Sequence, residues 1–149
     1  NLTWFQDNEV FVVANVTWSD SEVKDAAYTR ALQGQSEWLG NLQLGFENTT
    51  AGRRATLLVN YQGERISDAG VITGSTRLPD VIETPPIMLD LVASQTFTVG
   101  GRDYDVGAKV ENLLGQEYER SQSFANGGKG VVEGYKLGTT VSLSLSTTF

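Results

Sequence analysis

The side chains that most often carry out enzyme chemistry are missing from this sequence. It has no histidine and no cysteine, so it lacks the commonest general base, the commonest metal ligand and the thiolate nucleophile. Asp20, Glu22 and Asp25 form an acidic group whose carboxylate oxygens suit a divalent cation. Their spacing matches no recognised calcium loop, however, and a solvated acidic loop is the simpler interpretation. We therefore predict no catalytic residue, no metal site, no cofactor and no enzymatic activity.

Charge and hydropathy argue against two further classes. The 149 residues carry a formal net charge of -7, whereas nucleic-acid binding needs clustered Lys and Arg. No run of eighteen apolar residues is present, so the sequence predicts no transmembrane helix. The first residues lack the basic segment and apolar stretch of a signal peptide and read like the middle of a strand. We expect the chain to be a piece of a longer protein.

The elements that position the side chains are β-strands, because apolar and polar residues alternate along much of the chain. From residue 135 onward the odd positions are mostly apolar, the even positions are mostly hydroxyl-bearing, and the last residue is Phe149. A period of two is typical of a strand with one apolar face. The alternation predicts six strands and part of a seventh, at residues 1–5, 9–19, 37–47, 53–62, 87–99, 102–112 and 135–149.

The connections between the predicted strands alternate strictly in length. The short ones are residues 5–8, 48–52 and 100–101, and the long ones are residues 20–36, 63–86 and 113–132. Short periplasmic turns and longer extracellular loops are typical of outer-membrane β-barrels. The order therefore predicts an all-β, antiparallel transmembrane barrel in the outer membrane of a Gram-negative bacterium, with the C-terminus on the periplasmic side.

Aromatic residues fall near both ends of the predicted strands, on the apolar face. Such girdles form where the rings of a barrel meet the two membrane interfaces. The expected members at the long-loop end are Trp18, Trp38, Tyr61 and Tyr135, and those at the short-turn end are Phe46, Phe97 and Phe149.

One block near the end of the chain resembles a signature of the TonB-dependent outer-membrane transporters. Asn112 and Leu113 begin this block, a second hydrophobic residue follows, and Tyr118 ends it, as in the block after that family's penultimate strand. The terminal alternation that closes on Phe149 is similar to the family's last strand. Residues 14–22, 35–38 and 60–66 are similar to its preceding hairpins, so the likeness covers essentially the whole chain.

The resemblance implies a twenty-two-stranded barrel with a plugged lumen, of which residues 1–149 would form the C-terminal part without the plug and the TonB box. It implies active uptake of a scarce ligand such as a siderophore, cobalamin or a glycan, driven by the TonB-ExbB-ExbD complex through the missing N-terminal part. The other implied partners are membrane lipid, the remaining barrel strands, the plug and the barrel-assembly machinery. The assembly signal would comprise Val141, Leu143, Leu145 and Phe149.

Several alternatives remain open at the level of sequence. Charged residues on the predicted lumen side would either contact the plug or form a solvated wall, which is the simpler reading; these are Asp90, Asp105, Lys109 and Glu111. A passive porin shares every barrel feature, although the Asn112 to Tyr118 block favours a transporter. A hydrolytic barrel enzyme would need a Ser paired with a His, which this chain lacks. A soluble β-sandwich that binds carbohydrate would bury its apolar faces in a dry core.

Overall fold

The computed structural model describes residues 2–5, 8–24 and 28–147. Within these ranges the chain forms fifteen strands and no helix, and every strand pairing is antiparallel, which confirms the prediction of an all-β antiparallel protein. The strands are β1 (Leu2–Phe5), β2 (Asn8–Trp18), β3 (Val23–Lys24), β4 (Thr29–Arg30), β5 (Trp38–Asn48), β6 (Arg53–Gln62), β7 (Arg65–Asp68), β8 (Ile72–Thr73), β9 (Thr76–Arg77), β10 (Val81–Thr84), β11 (Met88–Val99), β12 (Arg102–Glu111), β13 (Glu117–Ser123), β14 (Lys129–Lys136) and β15 (Thr140–Thr147).

A seven-stranded sheet, called the wall below, contains the strands that the alternation predicts. Its order is β1-β2-β5-β6-β11-β12-β15, so each wall strand pairs with the next one along the chain. Five of these strands have 10, 11 or 12 residues. The wall is a continuous meander whose two outer strands are β1 and β15.

Two short turns at one end of the wall are held by local chemistry. Gly100 and Gly101 both have positive φ, at 60° and 75°, as the two central residues of a tight hairpin turn require. In the turn between β5 and β6, the side-chain oxygen of Asn48 accepts a hydrogen bond from the Ala51 amide at 2.7 Å. The predicted hairpin at residues 100–101 is therefore confirmed.

A close approach of side chain to backbone fixes β2 against β5. Phe11 lies directly opposite Gly45, and its ring covers the glycine so closely that a Cβ at this position would collide with it. Strand glycines weaken a sheet unless a neighbour packs over them. The ring of Phe11 supplies that cover, which accounts for an aromatic residue on this face of β2.

A four-stranded sheet, called the upper sheet below, stands at the other end of the wall. Its order, β14-β13-β10-β7, repeats the wall order β15-β12-β11-β6. Each upper strand continues a wall strand across a short break, at residues 63–64, 85–87, 112–116 and 137–139. The upper sheet is therefore an extension of part of the wall on the side of the long connections.

This second sheet corrects two details of the sequence prediction. The connections 63–86 and 113–132 are not irregular loops, because they contain β7 to β10 and most of the β13–β14 hairpin. The predicted continuous strand from residue 135 is broken at residues 137–139, where Gly138 has φ 70°. Tyr135 therefore belongs to the upper sheet and not to the last wall strand. Both faces of β13 are mainly polar, so the strand lacks the alternation of apolar and polar residues by which the wall strands are predicted.

The first long connection folds over one edge of the upper sheet. The amide of Gly34 donates to the carbonyl of Ile66 on β7 at 2.8 Å, and the side-chain amide of Gln33 donates to the carbonyl of Ser67 at 2.6 Å. The guanidinium of Arg77 lies 3.4 Å from the centre of the Tyr28 ring, which joins the first and second long connections. Within the described ranges, no helix has the length and hydropathy needed to cross a membrane.

Candidate membrane-facing surface and the junction above it

The strand register brings the predicted apolar positions of the wall together on one face. Directly opposed residues form continuous apolar rows across neighbouring strands. One row is Val12, Leu44, Leu57, Leu91, Val110 and Val141, and a second is Val10, Phe46, Ala55, Ala93, Ala108 and Leu143. Six strands thus contribute to a single apolar surface, which we call the apolar face.

The apolar face is not covered by other parts of the described chain. Leu143 is 82% exposed and Val16 is 70% exposed, whereas the one buried hydrophobic residue among those described, Val81, lies in the upper sheet. The protein has 10217 Å² of accessible surface, against roughly 7,500 Å² for a compact soluble domain of its mass. Among the described strands, none forms the second layer that a β-sandwich would place on this face.

Aromatic side chains border the apolar face at both ends. Trp18 is the last residue of β2 and lies directly opposite Trp38, the first residue of β5. Tyr61 lies near the same end, on β6, opposite Gly40. Phe46 and Phe97 lie near the short turns, and Phe97 faces Tyr104, which sequence reasoning did not include in a girdle.

The two borders are separated by a distance suited to a bilayer. Trp38 and Phe46 are eight residues apart on β5, which corresponds to about 27 Å along the strand at ~3.4 Å per residue. At a tilt of ~40° this length spans about 21 Å of height, which is comparable to the outward apolar band of outer-membrane barrels at about 25 Å.

A polar pair interrupts the apolar face near the short turns. Gln95 lies opposite Arg53 and accepts a hydrogen bond from its Nε at 2.8 Å. The side-chain amide of Gln95 also donates to the carbonyl of Ala51 at 2.7 Å. The two side chains are thus bonded to each other at the edge of the face, where they do not divide the apolar rows.

The opposite face of the wall carries the charged residues for which a lumenal position is predicted. Lys109 and Glu111 form an ion pair at 2.8 Å, and the side chain of Asp90 accepts from the amide of Asn112 at 2.9 Å. Asp105 lies beside a recess of about 340 Å³ that also holds the Arg54–Glu47 ion pair, at 2.6 Å. This face is mixed rather than uniformly polar; its apolar members include Phe11, Val13, Leu39, Leu58 and Val92.

Asn112, the first residue of the signature block, is the centre of the junction between the wall and the upper sheet. It is 3% exposed and is the one non-glycine residue with positive φ, 51°, in the described chain. Its side-chain nitrogen donates to the carbonyl of Gly138 at 2.7 Å, and its side-chain oxygen accepts from the amide of Gln116 at 3.3 Å. Its own carbonyl accepts from the Thr139 hydroxyl at 2.9 Å. One residue therefore ties two of the four breaks together.

Of the other two signature residues, Leu113 lies within the break at residues 112–116 and Tyr118 lies just beyond it on β13. The amide of Leu113 donates to the carbonyl of Leu89 at 2.8 Å, and its side chain is exposed. Tyr118 stacks on Tyr135, with ring centres 4.7 Å apart and planes inclined by 28°. Tyr135 thus lies apart from the other predicted girdle residues and pairs with a signature residue instead.

Charged side chains link all four strands on one face of the upper sheet. Arg65 on β7 donates twice to Glu83 on β10, at 2.6 and 2.8 Å. Arg120 on β13 reaches across β10 to Asp68 on β7 and also pairs with Glu133 on β14, at 3.1 Å. The hydrogen bonds from Arg65 lower the pKa of Glu83 against the opposing effect of burial. Burial, reinforced by the charge of Glu83, raises the pKa of Tyr118.

The acidic residues of the first long connection and the apolar residues of β15 are the remaining predicted sites. Glu22 pairs with Lys24 at 3.1 Å, Asp20 is exposed, and Asp25 lies outside the described residues. No group of three or more acidic side chains in the described ranges is arranged to hold a metal ion. Val141, Leu143 and Leu145 share the apolar face of β15, whereas Phe149 lies outside the described residues.

Sequence reasoning missed the upper sheet and the role of Asn112. Signals for the breaks were present in Pro85 and Pro86, which cannot extend a ladder, and in Gly115 and Gly138, which have positive φ.

Comparison of the chain with protein-family models, with curated proteins and with solved structures found no match.

Proposed function

We propose that the wall is part of a transmembrane β-barrel in the outer membrane of a Gram-negative bacterium, with its C-terminus on the periplasmic side. The observation that carries this proposal is the uncovered apolar face, bordered by aromatic residues at both ends. In water such a face would cost about 25 cal/mol for each Å² of apolar surface left exposed. Hydrocarbon removes that cost, and the lengths of the wall strands suit a bilayer, which needs about 9–11 residues per tilted strand.

The unpaired outer edges of β1 and β15 support the presence of further barrel strands. Within a bilayer, each unsatisfied backbone group costs several kcal/mol, so a spanning sheet must close on itself. We propose that the remaining strands of a twenty-two-stranded barrel complete the ring. The mixed face with Asp90, Asp105, Lys109 and Glu111 then lines the lumen.

We further propose that the whole protein is a TonB-dependent transporter for a scarce ligand such as a siderophore, cobalamin or a glycan. The support is the resemblance of the Asn112–Tyr118 block, joined to the physical role of Asn112 at the junction. The TonB-ExbB-ExbD complex would act through a plug, and the barrel-assembly machinery would read the apolar side of β15. This chain would contribute wall and outer surface, and no enzymatic role.

The first test compares two substitutions at adjacent positions on β15. Leu143 lies on the apolar face and Ser144 lies on the opposite face, and both side chains are exposed. In a lipid-facing wall, Leu143→Arg costs about 2–4 kcal/mol near the midplane, whereas Ser144→Arg at the lumen is tolerated. The measurement is the amount of heat-modifiable, protease-resistant protein in the outer membrane. Equal losses for the two variants, or full water solubility of the wild type without detergent, would reject the membrane assignment.

The second test separates a plugged transporter from a passive channel. The outer-membrane protein that contains this chain is inserted into planar bilayers and its ionic conductance is recorded. A plugged barrel gives no steady open-channel current, and a passive porin does. A steady current would reject the transporter while leaving the membrane assignment intact.

A further inference from the structure

A cleft of about 500 Å³ lies at the junction, between the upper ends of β5 and β6 and the start of β11. Two aromatic side chains, Trp38 and Tyr61, form part of its lining. Both are 46% exposed, and they are diagonal neighbours on adjacent strands, because Tyr61 faces Gly40. A cleft with two accessible aromatic rings offers flat apolar platforms to a ligand.

The polar groups of the cleft are held in place by bonds within the protein. Glu37 accepts a hydrogen bond from the indole nitrogen of Trp18 at 3.2 Å, and Glu64 accepts from the hydroxyl of Thr84 at 3.0 Å. The side-chain oxygen of Gln116 accepts from the amide of Ile87 at 3.2 Å. Each carboxylate has capacity for further donors, and the Gln116 amide group carries two N–H donors.

The charge of the cleft selects among ligands. Its lining contains two carboxylates, of Glu37 and Glu64, and no Lys or Arg among the described residues. Phosphates and carboxylates are repelled by such a site, whereas hydroxyl groups both donate to carboxylates and accept from the Gln116 amide. The C–H face of a pyranose ring is attracted to the negative face of an aromatic ring.

We propose that this cleft binds an uncharged saccharide ring, either from a soluble glycan or from the head group of a neutral glycolipid. The ring lies against Trp38 and Tyr61, and its hydroxyls bond to Glu37, Glu64 and Gln116. The cleft lies at the end of the wall that carries the long connections, next to the upper sheet, and the proposed binding does not depend on the proposed uptake.

The binding test uses the whole outer-membrane protein that contains this chain, in detergent micelles, with maltohexaose, cellohexaose and mannohexaose as soluble probes and monoglucosyl diacylglycerol as the lipid probe. Isothermal titration and saturation-transfer NMR measure binding. Saturable binding of a hexasaccharide identifies a soluble glycan, and binding of the glycolipid alone identifies a head group. Trp38→Ala is expected to weaken the binding about tenfold or more, while Phe46→Ala, an aromatic loss at the far end of the same strand, leaves it unchanged.

A charge-reversal variant tests the selectivity of the same cleft. Oligogalacturonate, which is anionic, is expected not to bind the wild type, and Glu64→Lys is expected to lower the affinity for the neutral probe and admit the anionic one. The proposal is overturned if no neutral probe binds, if Trp38→Ala and Phe46→Ala bind equally well, or if the wild type prefers oligogalacturonate.

Discussion

Asn112 shows how one side chain sets the geometry of two sheets. Its positive φ is tolerated because Asn, more than most residues, adopts the left-handed region. Its side chain then satisfies one backbone group in each of two breaks, at Gly138 and Gln116. A residue that combines this backbone conformation with both bonds is hard to replace.

Substitutions of Asn112 should separate the cost of its side-chain bonds from the cost of its backbone conformation. Asn112→Gly removes the two side-chain hydrogen bonds and keeps a backbone that accepts positive φ, for an expected cost of about 1–2 kcal/mol. Asn112→Ala loses the same bonds and adds about 1–2 kcal/mol of strain. Hydrogen exchange of the amides at residues 112–116 and 137–139 measures the difference. Equal protection in the two variants would show that the conformation carries no cost.

Gly45 and Gly40 offer a matched pair on β5. A methyl group at Gly45 collides with the Phe11 ring, whereas at Gly40 its nearest contact is at 3.8 Å. We expect Gly45→Ala to displace the ring and cost about 1–2 kcal/mol, and Gly40→Ala to be neutral or stabilising by about 0.5 kcal/mol. Urea unfolding in micelles, followed by tryptophan fluorescence, gives both values. In a Phe11→Ala background the penalty at Gly45 should vanish; its persistence would contradict this account.

At the scale of elements, the upper sheet relies on charge where the wall relies on apolar contact. The strands of the upper sheet are joined by the Arg65–Glu83 pair, by the bonds of Arg120 and by the Tyr118–Tyr135 stack. Val81 is its one buried hydrophobic residue among those described. The stability of the upper sheet should therefore respond to pH.

The lowered pKa of Glu83 gives the sign of that response. A carboxyl whose pKa falls on folding contributes stability at pH values above its unfolded pKa of about 4.3, and the contribution is lost as pH falls through the lower folded value. Hydrogen-exchange protection of β7 and β10 should drop below about pH 4. Glu83→Gln should lower protection at neutral pH by about 1–3 kcal/mol and flatten the acid response.

Glu119→Gln is the control for this prediction, because the Glu119–Lys129 pair lies on the same sheet but is more exposed. Exposed pairs contribute at most about 1 kcal/mol. A similar effect of the two variants would mean that the burial of Glu83 has no energetic consequence.

The wall could be predicted from sequence, whereas the upper sheet could not, for a physical reason. In β12, the alternation of Val106, Ala108 and Val110 with polar neighbours directly reports a sheet with one apolar side. In β13, Tyr118, Arg120 and Gln122 alternate with Glu119 and Ser121, so both faces are polar and no period stands out. The bonds of Asn112 join residues up to 27 positions apart, and their pairing depends on the register of three strands.

At the scale of the whole molecule, the proposed orientation places all long connections outside the cell. Residues 1–149 contain no cysteine, so a thiol introduced here reports its own position once labelling of the unsubstituted protein is subtracted. Ser75→Cys, in the turn between β8 and β9, should react with a membrane-impermeant maleimide in intact cells that produce the protein. Thr50→Cys, in the short turn after β5, should react only after the outer membrane is permeabilised. Labelling of Thr50→Cys in intact cells would reverse the proposed orientation.

The unequal extent of the two sheets has a consequence for the outer rim. Four adjacent wall strands continue upward, but beside β7 the first long connection occupies the edge through Gly34 and Ile66. Beyond β2 and β5 the described chain has the two-residue strands β3 and β4, which pair with each other and not with the upper sheet. The sheet therefore extends farther along four adjacent wall strands than along the neighbouring ones. In a closed ring this difference in strand length would leave a lateral gap, through which a large ligand at the cell surface would reach the barrel opening from the side.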